Sequence, residues 1–122
     1  MNDRELLELA ARAAGIKARW FKVNQWRRLD GCRLHIGQKN VFGTHHRKPW
    51  NPLTDDGDAL RLAVTRGLVV TPDRENQRTL VSNQAGHEYC AIYWDKLGEM
   101  AATRLAITEA AAEIGKSMGG GE

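Results

Sequence analysis

The sequence predicts an α+β fold: a mainly antiparallel sheet of about five or six short strands packed with three helices, arranged like an α/β/α sandwich. Two observations predict it. Ala- and Leu-rich segments with helical periodicity stand at both ends of the chain and once in its middle. Between them lie short runs rich in β-branched and aromatic residues, separated by Gly-, Pro-, Asn- and Asp-containing turns.

The first helix opens with Asn2 and Glu5 at capping-box spacing. Leu6, Leu7, Ala10, Ala11 and Ala14 form its apolar face, Gly15 ends it and Ile16 packs back. Arg19 to Val23 reads as a strand. Leu29-Asp30-Gly31 is a turn signal. From Arg33 to Ile36 the pattern alternates, with Leu34 and Ile36 on one face and Arg33 and His35 on the other. Gly37 to Asn40 reads as a hairpin turn before Val41-Phe42, and Gly43 to Pro49 as a basic loop.

The central stretch WNPLTDDGDALRLAVTRGL, Trp50 to Leu68, encodes a helix with its start and stop. Pro49 and Pro52 keep the residues before them out of the α region. Thr54 or Asp55 serves as N-cap, and Asp55, Asp56 and Asp58 put negative charge where the helix dipole favours it. An acidic triplet can also bind a metal or a basic partner, but a first turn needs no such cause. Leu60, Ala63 and Val64 form the expected buried stripe, and Gly67 with Leu68 closes the helix.

Leu68 to Val70, Arg78 to Ser82 and His87 to Trp94 then read as three strands of a meander, which makes the sheet antiparallel. Asp95 is placed as the cap of the last helix. Leu97, Met100, Ile107, Ala111, Ile114 and Met118 form its predicted buried stripe. Its many alanines permit close approach to the sheet or to another subunit. A single domain over 1–118 is expected, with 119–122 as a flexible tail.

The run WNPLTDDGDALRLAV resembles the signature of small tailed-phage and prophage proteins grouped as the phage ABA sandwich domain family. RELLELAARAAGI and AATRLAITEAAAEIGKSM agree with it in the same order, and the three runs together cover less than half of the chain. The resemblance implies an α/β/α sandwich and a phage origin. It carries no established activity, and the intervening segments match no pattern of the family.

Composition bounds the partners. The chain has 122 residues and a formal net charge of +3. Its N-terminus is polar and acidic rather than a signal sequence, and no apolar run approaches a membrane span. A cytoplasmic location is expected, in the host bacterium if the phage resemblance holds. Between Lys17 and Trp50 there are nine cations (Lys17, Arg19, Lys22, Arg27, Arg28, Arg33, Lys39, Arg47 and Lys48) against the single acid Asp30. Such asymmetry points to an anionic partner.

No catalytic motif accompanies this charge. Cys32-x-x-His35 and His87-x-x-Cys90 make a zinc-like inventory. Both pairs fall in predicted strands, where residues three apart face opposite sides. They therefore read as two buried thiols and two polar histidines, and neither a metal nor a cofactor is expected. His45 and His46 could act as acid and base on a nucleotide, but adjacent loop histidines seldom address one substrate.

What remains is a basic and aromatic set. Trp20 reads as core; Trp26, beside Arg27-Arg28 and near a turn, reads as a surface residue. Trp50 is either a ligand-stacking aromatic or the lid on the central helix. The predicted ligand contacts are Trp26 for stacking, Arg27 and Arg28 for phosphate, and His46, Arg47, Lys48 and Trp50 as a closing loop. The function expected is sequestration, without turnover, of a small phosphorylated nucleotide signal of host immunity by a phage-encoded homo-oligomer. The alternative is a basic surface that engages nucleic acid or a host defence protein. A third reading is a nucleotide-degrading enzyme using His45 or His46. A concave basic pocket containing Trp would favour the first reading and a continuous basic face the second.

Overall fold

The computed structural model describes residues 1–119, so that 120–122 of the predicted tail lie outside the described residues. The elements run α1 (Asp3–Ala14), β1 (Ala18–Leu29), β2 (Cys32–Thr44), α2 (Asp56–Arg66), β3 (Val69–Asp73), β4 (Arg78–Ser82), β5 (Glu88–Tyr93) and α3 (Glu99–Met118). The α+β class is as expected, and every strand pairing is antiparallel. The five strands are divided between two sheets, β1-β2 and β3-β4-β5.

Helix α3 is the element on which the body is assembled. Helices α1 and α2 and strands β4 and β5 all pack against it. Small residues make this possible: Ala102, Ala106, Ala110, Ala111, Ala112 and Gly115 are all buried on it. Gly115 lies so close to the Leu9 carbonyl of α1 that a Cβ there would collide with that oxygen. On the sheet side, Thr79 of β4 is fully buried. Its hydroxyl accepts from Trp94 Nε1 at 2.9 Å and meets the Thr103 hydroxyl of α3 at 2.7 Å. Thr103 spends its own proton on the Glu99 carbonyl, so Thr79 is the donor to Thr103. Pro72 sits in β3, an edge strand, where a missing N–H is tolerated.

The helix ends follow local chemistry. Asn2 accepts from the Glu5 N–H at 2.9 Å, and Gly15 ends α1 in the left-handed region. Asp55 caps α2 through the Asp58 N–H at 2.7 Å. Asp58 in turn accepts from the Asn51 N–H and pairs with Arg61. Asp56 pairs with Arg104, which also donates to the Leu53 carbonyl. The acidic triplet is thereby occupied in tying the Trp50–Asp55 segment and α2 to α3.

Several expectations are corrected. In α2 the buried face is Ala59, Leu62 and Ala63, whereas Leu60 and Val64 are 64% and 72% exposed. Two stripes fit the helical period, and α2 buries the one that holds Ala59, Leu62 and Ala63. Leu97, Met100 and Met118 are likewise exposed, because the alanines of α3 are buried on several sides at once. Asp95 does not cap α3: Gly98 holds that position, with no side-chain cap.

The largest departure is the hairpin. Gly37 to Asn40 is no turn but the interior of β2, which pairs with β1 from Ala18↔Thr44 to Leu29↔Cys32. The turn is Asp30-Gly31 alone, with φ of 50° and 79°, the pattern of the two-residue hairpin turn that matches strand twist. Gly37, at φ 122°, marks a register shift: Gln25 pairs with Gly37 but Trp26 with His35, leaving Ile36 as the extra residue.

Candidate functional site

The two long strands form an arm. From Asn24 to Ile36 every residue is exposed, so neither face of the ribbon is covered in this stretch. Its base is anchored. Phe42 is buried, Trp20 packs on it with ring centroids 4.9 Å apart, and Trp20 Nε1 donates to Glu8 of α1 at 2.9 Å. The Arg4 guanidinium covers the same indole.

Strand alternation divides the arm into two faces. Trp26 shares its face with its cross-strand partner His35 and with Arg28 and Arg33, which pair with each other one step on. The His35 ring stands edge-on to Trp26 at 5.0 Å, and the Arg33 guanidinium lies 4.5 Å from its ring centroid. Toward the base, Gln38 donates to the Asn24 amide oxygen at 2.9 Å, and His35 Nε2 lies 3.3 Å from the same oxygen. Arg27 is on the opposite face with its partner Leu34. Adjacent strand residues cannot address one phosphate from the same side, so the predicted Arg27–Arg28 pair is split.

At the base of the arm the loop of residues 45–48 folds back on β2. The Thr44 N–H donates to the Lys48 carbonyl, the Trp50 N–H donates to the Phe42 carbonyl, and Gly43 bridges to Pro49. His46 and Arg47 both take positive φ, at 58° and 55°, and the His45 and His46 rings meet tilted by 40° with centroids 3.9 Å apart. The Arg47 guanidinium lies 5.7 Å from the Phe21 ring centroid. Trp20, Phe21, Val23, Lys39 and Arg47 line a groove of about 530 Å³ there.

Electrostatically, the arm differs from the body. In the body, Arg4, Arg61, Arg74, Arg78 and Arg104 each pair with a carboxylate. Among the described residues, none of the nine cations between Lys17 and Lys48 forms an ion pair. Their charge has no carboxylate partner among the described residues.

The structure therefore separates the predicted site into parts. Trp26, Arg27 and Arg28 stand on the arm, with Trp26 48% exposed. His46, Arg47 and Lys48 stand at its base. Trp26 is five residue steps along β1 from Phe21, which lies under Arg47, and that is roughly 17 Å of strand. Trp50 is only 6% exposed and meets Phe42 edge-on at 6.1 Å, so it is the lid of the core rather than a stacking surface.

Sequence reasoning missed Lys22, Asn24, Arg33, His35, Gln38 and Lys39 as neighbours of the predicted residues. The Asp30-Gly31 turn was the available signal, since a two-residue turn there pairs Arg28 with Arg33. The bulge that brings His35 to Trp26 has no comparable local mark. The zinc-like set is also dispersed. Cys32 is exposed beside the arm's turn, whereas Cys90 is half-buried, with its Sγ 3.3 Å from the Ala106 carbonyl of α3. Cys32 therefore corrects the expectation of two buried thiols. Burial and the carboxylates of Glu109, Glu88 and Glu113 push the Cys90 thiol up to about 12. His87 is exposed and packs edge-on against Tyr89. No group of three or more His, Cys, Asp or Glu among the described residues is placed to hold a metal.

The fold and site define an α+β body carrying a basic two-stranded arm. No family model, curated protein or solved structure matches the chain. No described helix is long and apolar enough to cross a membrane.

Proposed function

We propose that this protein is a binding protein for nucleic acid, without turnover, and that it contacts the phosphate backbone along the arm and the loop at its base. The observation that carries this reading is the run of nine cations from Lys17 to Lys48, on the two strands of the arm and the segments that flank its base, none with a carboxylate partner among the described residues. Exposed cations that no internal acid neutralises gain most from a polyanion, because binding releases the counterions condensed on it. Phe21, under Arg47, and Trp26 lie roughly 17 Å apart along the strand and on opposite faces of the ribbon, a spread that suits an extended ligand better than a single nucleotide.

A second reading rests on the groove at the arm's base, where Trp20 and Phe21 offer aromatic surface beside Lys39 and Arg47. That combination suits a small phosphorylated nucleotide, held as a sequestered signal. A phage counter-defence setting for either reading, and assembly as a homo-oligomer, rest on the family resemblance and on the small size of the domain.

The test is fluorescence anisotropy of labelled DNA and RNA oligonucleotides over a range of salt concentrations, alongside a thermal-shift screen of cyclic and linear nucleotides. The log of the association constant should fall linearly with log salt concentration. Reversing charge at both Arg27 and Arg28 should weaken binding by at least about tenfold, with the melting temperature nearly unchanged, because both side chains are exposed. A collapse of stability in that variant would mark the two arginines as structural. A large thermal shift with one nucleotide, lost in Arg47→Ala, combined with no oligonucleotide binding, would replace the first reading by the second.

A further inference from the structure

The geometry points to single-stranded nucleic acid as the ligand class, with Trp26 as the platform on which an unpaired base stacks. This inference rests on the reading of the arm as a nucleic-acid surface and adds to it which nucleic acid and which face.

Three observations on one face of the ribbon carry it. First, Trp26 is held rather than free. His35 supports it edge-on at 5.0 Å, and the Arg33 guanidinium lies 4.5 Å from its ring centroid, yet the residue remains 48% exposed. A large indole fixed in this way, outside any core, is already ordered for stacking, so little side-chain entropy is lost when a base arrives. Second, the same face carries cations on both sides of Trp26: Lys22 toward the base, Arg28 and Arg33 toward the tip. Side chains two residues apart on one strand lie about 7 Å apart, so phosphates flanking a stacked base fall within reach of these groups. Third, Asn24 and Gln38 join His35 in a hydrogen-bonded set immediately beside the ring. Amides and imidazoles both donate and accept, which is what the edge of an unpaired base requires.

Stacking on a side chain needs a base with a free face. Within a duplex both faces are covered by neighbouring base pairs, and only cations on the ribbon could contribute. An aromatic platform interleaved with cations is the combination that binds single strands with little dependence on sequence. On the opposite face the outer part of the arm carries Leu29, Cys32 and Leu34 with Arg27 and no aromatic ring, and Phe21 of that face lies at the base, under the Arg47 guanidinium.

The experiment compares labelled oligo-dT with the blunt oligo-dT·oligo-dA duplex of equal length. It uses the native chain and three variants, Trp26→Phe, Trp26→Leu and Arg28→Ala. Leu keeps an apolar cross-strand partner for His35 but has no π-face, so it separates stacking from arm stability; circular dichroism and the melting temperature check the fold. The expected result is oligo-dT bound at least about tenfold tighter than the duplex, with quenching of tryptophan emission. Trp26→Leu should weaken oligo-dT by roughly 5- to 100-fold without changing the salt slope or the duplex affinity, and Trp26→Phe should recover most of that loss. Arg28→Ala should lower the salt slope by about 1. Equal affinity for duplex and single strand, or equal losses in the Phe and Leu variants, would overturn the stacking assignment while leaving the basic arm as the binding element. Binding to neither probe would overturn the reading of the arm itself.

Discussion

At the scale of single residues, chemistry that looks reactive in the sequence is mostly spent on structure. Cys90 is the clearest case. Its thiol rests near the Ala106 carbonyl, and burial raises it from an ordinary 9.0 to about 12. The folded state keeps a proton that the unfolded chain gives up earlier. The resulting stabilisation is complete below pH 9 and is lost progressively as pH rises toward about 12. Denaturant melts should therefore show stability declining above pH 9, with a flatter decline in Cys90→Ala; parallel declines would contradict the assignment. A thiol reagent at neutral pH should modify exposed Cys32 quickly and half-buried Cys90, with its raised pKa, much more slowly. Trp50 shows the same principle: its ring fills the core beside Phe42, although its neighbours in sequence are basic and polar.

At the scale of elements, local signals placed both ends of α1 and of α2 and the three-stranded meander but not the start of α3, while contact between elements chose which faces are buried. The crossing of α1 and α3 is set by Gly115, where an added Cβ would meet the Leu9 carbonyl. Gly115→Ala gains helix propensity but forces the helices apart. A net destabilisation of about 1–3 kcal/mol is expected in urea melts. A change below about 0.5 kcal/mol would mean that the crossing relaxes freely. The hairpin was the element least legible in advance. Gly37 carries the residue type of a turn, yet it lies opposite Gln25 at a register shift inside a strand. A glycine permits both a turn and a bulge, and only the pairing across the two strands decides between them.

At the scale of the whole molecule, the chain separates stability from charge. The core is formed by α1, α2, α3 and the β3-β4-β5 sheet together with Phe42 and Trp50, and the body arginines named above are paired. The arm holds unpaired cations and no buried residue from Asn24 to Ile36. Replacing residues 25–37 by an Asn-Gly turn should consequently change the unfolding free energy by less than about 1 kcal/mol while removing nucleic-acid binding. A large loss of stability would show that the arm supports the body, and retained binding would move the site to the loop of residues 45–48.

Sequence by itself determined what depends on near neighbours. Asn2 as a cap, Thr54 or Asp55 as the cap of the central helix, Gly15 and Gly67 as stops, Asp30-Gly31 as a turn and the clustering of cations between Lys17 and Lys48 all follow from residues a few positions apart. Tertiary structure alone decided the division of the strands into two sheets, the exposure of Leu60 and Val64, the burial of Trp50 and the meeting of Trp26 with His35 and Arg33. Each of these is a choice between local arrangements of similar energy. That choice is settled by packing between segments distant in sequence, which local periodicity does not encode.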